Sequence, residues 1–167
     1  DLKNKKLISL SVLNYQRKKK ISEIKINPDN LEYLKNNLYQ SYKDTKYYKK
    51  IENFILEIVK KNLNENLARI NIQLIVSICE YLNINYKFNY LSKINSNKSK
   101  EFLILDILQK TNADLYLANN GSLNYANADF FLSRAIKFKT HDFIHPQYIQ
   151  KNKENNLGFL SHLSVLD

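Results

Sequence analysis

The sequence predicts an α/β protein, with a mixed, partly parallel sheet flanked by helices. Three observations carry this. Apolar residues recur at helical spacing in several stretches, short alternating runs rich in Ile, Tyr and Phe lie between them, and the two periods take turns along the chain. At 167 residues the length suits one compact unit, so residues 1–167 are read as a single domain.

The first elements are strands. Leu7 to Leu13 (LISLSVL) and Ile21 to Ile26 (ISEIKI) have strand patterning, with Arg17-Lys18-Lys19-Lys20 as the turn between them. Asn27-Pro28-Asp29-Asn30 is a breaker followed by a helix cap, with Asp29 or Asn30 at the N-cap. Leu31, Leu34 and Leu38 share one face of the helix that follows. Tyr39, Tyr42, Tyr47 and Tyr48 then appear among lysines, and are expected to pack their rings down and keep their hydroxyls in water.

Ile51 to Val59 is a second helix through Ile51, Phe54, Ile55 and Ile58. Asn64 or Asn66 caps a third, whose broad apolar face runs from Leu67 to Leu82 and includes Cys79 as an expected buried thiol. Asn71 lies within that helix, where it either faces solvent or bonds something specific. The period then changes to two, and Ile84, Tyr86 and Phe88 predict a strand. Glu101 to Gln109 is a largely buried helix, and Leu115-Tyr116-Leu117 a short buried strand. Asn119-Asn120-Gly121 is the strongest turn signal in the chain. Phe130 and Phe131 start a short helical piece, and Ile136 to Phe138 a last strand running toward His141. In partly parallel sheets ligands gather beyond the strand carboxyl ends. Here those ends lead into the loop around Asn119–Tyr125 and the segment Thr140–Gln150.

Composition narrows the function classes. A net charge of +10 suggests nucleic acid, but only Arg17, Arg69 and Arg134 carry guanidinium groups, and the lysines are spread along the chain. A nucleic-acid-binding module is therefore disfavoured. No stretch approaches the roughly 18 apolar residues of a membrane span. The single cysteine fits a reducing compartment, so a cytoplasmic location is expected. Asp1 in place of Met marks the chain as a fragment, a processed product or a trimmed chain.

The segment THDFIHPQYIQ holds most of the chemistry. His141 and His145 are four apart, but Pro146 disfavours a helix there and there is no second cluster of Cys or His, so metal ligation is not expected. Pro146 instead favours an extended turn. On it His145 can act as a general base or acid near neutral pH, with Tyr148 and Gln150 positioning a polar substrate. The plainer reading is a surface loop whose His and Tyr satisfy local hydrogen bonds. Gly121 allows either a positive φ or close approach of a ligand. Glu101 and Asp106, five apart, form no obvious carboxylate pair, and the residues name no cofactor.

From about Leu67 onward the sequence resembles the WbqC-like family of bacterial surface-polysaccharide proteins. The motifs that carry the resemblance are LARINIQLI, CEYLNINYKF and EFLILDILQKTNADLYL, then Gly121, Tyr125 and Phe130, then FIHPQYIQ, and finally FLSHLSVLD. Asn83 stands where the family usually has Gly. A basic residue near Phe102, a Pro near Ser161, an amino-terminal Gln-Pro-rich motif and a helix after Asp167 are expected and absent, so both ends read as missing. The resemblance implies transfer of an acyl or aminoacyl group, such as glycyl, from its donor to an amino sugar or nucleotide sugar. It implies His145, Tyr148 and Gln150 as catalytic, and Asn71, Tyr116, Gly121, Tyr125, His141 and Asp167 as substrate-binding. A non-catalytic sugar- or nucleotide-binding accessory protein of the same pathway is the alternative.

Overall fold

The computed structural model describes residues 7–13, 15–124, 126–150, 159–161 and 163. The architecture is mixed α/β, with five α-helices and two short strand pairs, one antiparallel and one parallel. The chain divides into two compact units, residues 1–86 with 147–167, and residues 87–146.

In the first unit, β1 (Val12–Leu13) pairs antiparallel with β2 (Lys25–Ile26), in the register Val12 to Ile26. Most of the predicted strand from Leu7 lies outside any ladder among the described residues, and Ile21–Glu23 is a 3₁₀ turn. The predicted breaker holds: α1 runs from Asn30 to Tyr42 with Asp29 at its N-cap position. Asn30 does not cap. Its buried amide reaches back to Ser11, accepting from the Ser11 N–H at 3.0 Å and donating to the Ser11 carbonyl at 2.6 Å. A side chain thereby supplies the pair of bonds that a neighbouring strand would supply.

Helix α2 (Tyr48–Lys61) packs on α1, with Leu38, Tyr48 and Ile55 buried between them and Leu34, Tyr42, Ile51 and Phe54 around them. Tyr48 departs from the expected wet hydroxyl. It is buried, and its hydroxyl donates to the buried carboxylate of Glu52, which also pairs with Lys49 at 3.1 Å. Burial, then the hydrogen bond to Glu52, pushes the Tyr48 phenol well above its ordinary range. The same Tyr48 bond lowers the Glu52 carboxyl, outweighing its desolvation.

Helix α3 (Leu67–Tyr81) begins as expected, with the Asn66 side chain accepting from the Arg69 N–H at 2.9 Å. Ile26, Val59 and Ile70 form its buried contact with β2 and α2. Cys79 is half-buried on this helix rather than fully buried. The helix stops at Asn83, whose φ of 54° is left-handed, with the Ile84 N–H bonded to the Cys79 carbonyl at 2.8 Å. Only glycine, and next to it asparagine, adopts that conformation readily, so Asn83 can stand where the resemblance in the sequence expects Gly. Beyond it the predicted strand at Ile84, Tyr86 and Phe88 has no regular secondary structure and belongs to no ladder among the described residues, and all three side chains are exposed. Alternation alone does not make a strand without a partner to bond.

In the second unit, α4 (Lys100–Lys110) leads through a turn into β3 (Leu115–Ala118), which pairs in parallel with β4 (Lys137–Thr140). The register sets Leu115 opposite Lys137 and Tyr116 opposite Phe138. Leu115 and Leu117 are exposed, so β3 is buried on one face only and not throughout as predicted. Helix α5 (Ala128–Leu132) supplies Phe131, which is completely buried and centres the core with Leu105, Leu108, Ala126 and Ile136. Around Phe131 lie the rings of Tyr116 at 5.0 Å, Phe130 at 5.1 Å and Phe138 at 5.9 Å. Asp114 and Lys137 pair at 3.1 Å where the two strands begin, and that contact lowers the Asp114 carboxyl.

Candidate functional site

In the second unit, both parallel strands end at the same place. The His141 N–H donates to the Ala118 carbonyl at 2.7 Å, so the chain leaving β4 starts beside the loop leaving β3. Loops that diverge from adjacent parallel strands leave a crevice at their carboxyl ends, the usual ligand position in such sheets.

The loop after β3 is a 3₁₀ helix, Asn120–Asn124. Asn119 fixes its start: its Oδ1 accepts from the Ser122 N–H at 2.8 Å and from the Ser122 hydroxyl at 2.9 Å, and Ser122 is buried. Gly121 does not take a positive φ. A Cβ there would stand 3.3 Å from Asn119 Oδ1, so the glycine answers crowding by that capping side chain. Of the two sequence readings for Gly121, left-handed backbone is thus excluded.

The segment after β4 has no regular secondary structure and carries a ladder of rings. His141 stacks on Phe143 with centroids 6.0 Å apart and planes 15° apart. Phe143 meets His145 edge to face at 5.6 Å. His141 and Phe143 are exposed, and His145 is half-buried. The Nδ1 of His145 lies 2.9 Å from the Pro146 carbonyl oxygen. A carbonyl only accepts, so that contact assigns the hydrogen to Nδ1 and makes Nε2 the basic nitrogen of the neutral ring. Pro146 also fixes the backbone on which the imidazole is presented.

Tyr116 sits beneath this end, half-buried, with its ring against Phe131 and Phe138. The second unit therefore gathers Tyr116, Gly121, His141 and His145 around one pair of strands. The other expected residues belong to the first unit or lie outside the described residues. Asn71 is exposed on α3 of the first unit, which selects the solvent-facing reading. Tyr148 and Gln150 also belong to the first unit. Tyr148 sets its ring edge on Phe159 at 5.2 Å. Gln150 is buried and repeats the Asn30 device: its Nε2 donates to the Leu160 carbonyl and its Oε1 accepts from the Leu160 N–H, both at 2.9 Å. Tyr125 and Asp167 lie outside the described residues.

Sequence reasoning passed over a cavity in the second unit, a wide-open surface depression. It has a volume of about 420 Å³ and is lined by Glu101, Leu123, Asn124, Ala126, Asn127 and Ala128. The amino-terminal end of α4 meets there the end of the 3₁₀ loop and the start of α5. The only available signal was the pair of asparagines around Tyr125-Ala126, which reads equally as turn chemistry. Among the described residues no group of three or more His, Cys, Asp or Glu side chains could hold a metal ion. None of their helices is long and apolar enough to cross a membrane.

The WbqC-like protein family matches residues 1–167. The chain belongs to that family. The match extends through the first two helices and strands, where the resemblance in the sequence is weakest. Neither the curated proteins nor the solved structures hold a match to the chain. Membership of the WbqC-like family points to a role in bacterial polysaccharide biosynthesis.

Proposed function

We propose that this WbqC-like protein is a transferase of bacterial surface-glycan biosynthesis, passing an acyl or aminoacyl group, such as glycyl, to the amine of an amino sugar. The observation that supports this reading is the placement of His145. Its imidazole stands on the segment leaving a parallel strand, held at Nδ1 by the Pro146 carbonyl so that Nε2 carries the basic lone pair.

In the proposed step the sugar nitrogen attacks the acyl carbon of an activated donor. The C–N bond forms, and the bond from the acyl carbon to the donor's leaving atom breaks. His145 Nε2 takes the proton that the nitrogen loses and returns it to the leaving atom. His141 and Phe143 wall the segment beside it, and the loop at Gly121 admits the donor. Gln150, whose amide bonds the Leu160 backbone, acts as a positioning residue for the closing segment of the chain.

The test is mass spectrometry of glycan precursors from cells carrying the gene, lacking it, or carrying His145→Ala. The deletion and the variant are both expected to lose an acyl-sized mass increment. Precursors unchanged by the deletion would refute transfer. Full restoration by His145→Ala would remove His145 from the mechanism. Saturable sugar binding without any product would favour the accessory-protein reading instead.

A further inference from the structure

We infer that the cavity between the start of α4 and the start of α5 holds the amine-bearing sugar ring, through Glu101, Asn124 and Asn127. This rests on the transferase reading above and adds the place where the acceptor is gripped. Three features of the lining lead there. First, Glu101 is the one charged residue among the described residues that line it, with Lys100 before it in sequence and a second acid, Asp129, just beyond Ala128. A carboxylate accepts N–H bonds from an amine or an ammonium and repels the phosphates of a nucleotide. The cavity thus selects the amine end of a ligand over a phosphorylated end.

Second, the polar remainder consists of amides, the groups that serve hydroxyls as both donor and acceptor. Asn127 is already oriented: its Oδ1 accepts from the Asp129 N–H at 2.9 Å. That bond occupies its oxygen and leaves its two N–H donors uncommitted to Asp129. Third, Leu123 and Ala128 add a little apolar surface, and the volume of about 420 Å³ admits one sugar ring with its substituents.

Glu101 directly follows an unusual backbone position at the start of α4. Lys100, immediately before it, has a φ of 53°, a left-handed conformation that a lysine adopts only under constraint. Helix α4 returns through Thr111–Asp114 into β3, so its first turn lies toward the carboxyl end of that strand, the end where His141 begins. Acceptor grip and candidate base thus occupy the same end of the parallel pair.

The test titrates the full chain at pH 7 with glucosamine, glucose and N-acetylglucosamine, following binding by NMR. Glucosamine is expected to bind about tenfold or more tightly than glucose, the ratio of one charge-assisted contact, with N-acetylglucosamine resembling glucose. Glu101→Gln, nearly isosteric, is expected to erase that preference while keeping the unfolding temperature. Asn124→Ala, at an exposed position, is expected to weaken all three sugars. Equal binding of the three by the unaltered chain, or a preference that survives Glu101→Gln, overturns the inference. The two readings fail separately. A glycan mass increment retained in Glu101→Gln cells sinks the acceptor grip and leaves transfer standing. Glutamate-dependent glucosamine binding with no increment in any cell sinks transfer and leaves the grip.

Discussion

Replacing Gln150 with Ala separates a positioning role from a purely substrate-facing one. The side chain is 7% exposed and makes two bonds of 2.9 Å to one backbone unit, Leu160. Each such bond contributes about 0.5–1.5 kcal/mol net. The buried methylene lost with the amide adds about 0.8 kcal/mol. The expected cost is thus about 3 kcal/mol, or about 6–12 °C in unfolding temperature for a chain of this size. Gln150→Glu sharpens the measurement. A carboxylate still accepts from the Leu160 N–H, but it has no hydrogen for the Leu160 carbonyl and faces its oxygen. Its folded-state pKa is therefore raised above the unfolded value. The stability it retains is fully present below the unfolded carboxylate pKa and is lost as pH rises through the folded one. Thermal unfolding of both variants between acid and neutral pH is the assay. The Gln150→Glu chain is expected to match the unaltered chain in acid and to approach the Ala variant near neutrality. A Gln150→Ala chain that melts with the unaltered protein would refute the reasoning and return Gln150 to a substrate-facing role.

Two further predictions concern the scaffold. Ala135 has a φ of 59° at the end of the α5 turn, where the Ile136 N–H bonds the Phe131 carbonyl at 3.1 Å. Ala135→Gly relieves a left-handed penalty of about 1–2 kcal/mol against about 0.5–1 kcal/mol of added unfolded-state freedom, so urea unfolding should show a small gain in stability. Glu52 is held below its ordinary pKa chiefly by the Tyr48 hydroxyl. A depressed carboxyl contributes stability above its unfolded pKa and loses it as pH falls through the folded value. The unaltered chain should therefore lose stability on acidification through that window, and Glu52→Gln should flatten this part of the profile in thermal melts.

What the sequence revealed divides along the line between local and distant interactions. The Asn27-Pro28 breaker, the Asn66 cap and the face of Leu31, Leu34 and Leu38 are local, and each appears where spacing predicts it. Phe131 at the centre of a core and the two strands that flank α5 follow from the same patterns. The misreadings required knowledge of partners. Ile84, Tyr86 and Phe88 alternate correctly, but pairing is decided by chain far away in sequence. Asn30 resembles a cap because caps are its commonest use, while Ser11, nineteen residues earlier, claims both ends of its amide. Of the candidate site, the shared carboxyl end of β3 and β4 was legible from strand order. The Glu101 cavity was not, because its lining comes from three segments that no motif links.

The parallel pair itself has an asymmetric outer face. Leu115 and Leu117 lie exposed along β3, and directly across from them stand Lys137 and Lys139 of β4, also exposed. Among the described residues neither strand has a second neighbour, so each keeps one row of backbone donors and acceptors for an incoming strand. Lysines are the side chains that discourage such addition, through charge repulsion and the cost of desolvating an ammonium. Beside β4 that guard is in place. Along β3 it is missing, and an apolar, flat stretch of chain is offered instead. Strand addition to this pair should accordingly favour β3, and Leu117→Lys would extend the guard across the whole pair.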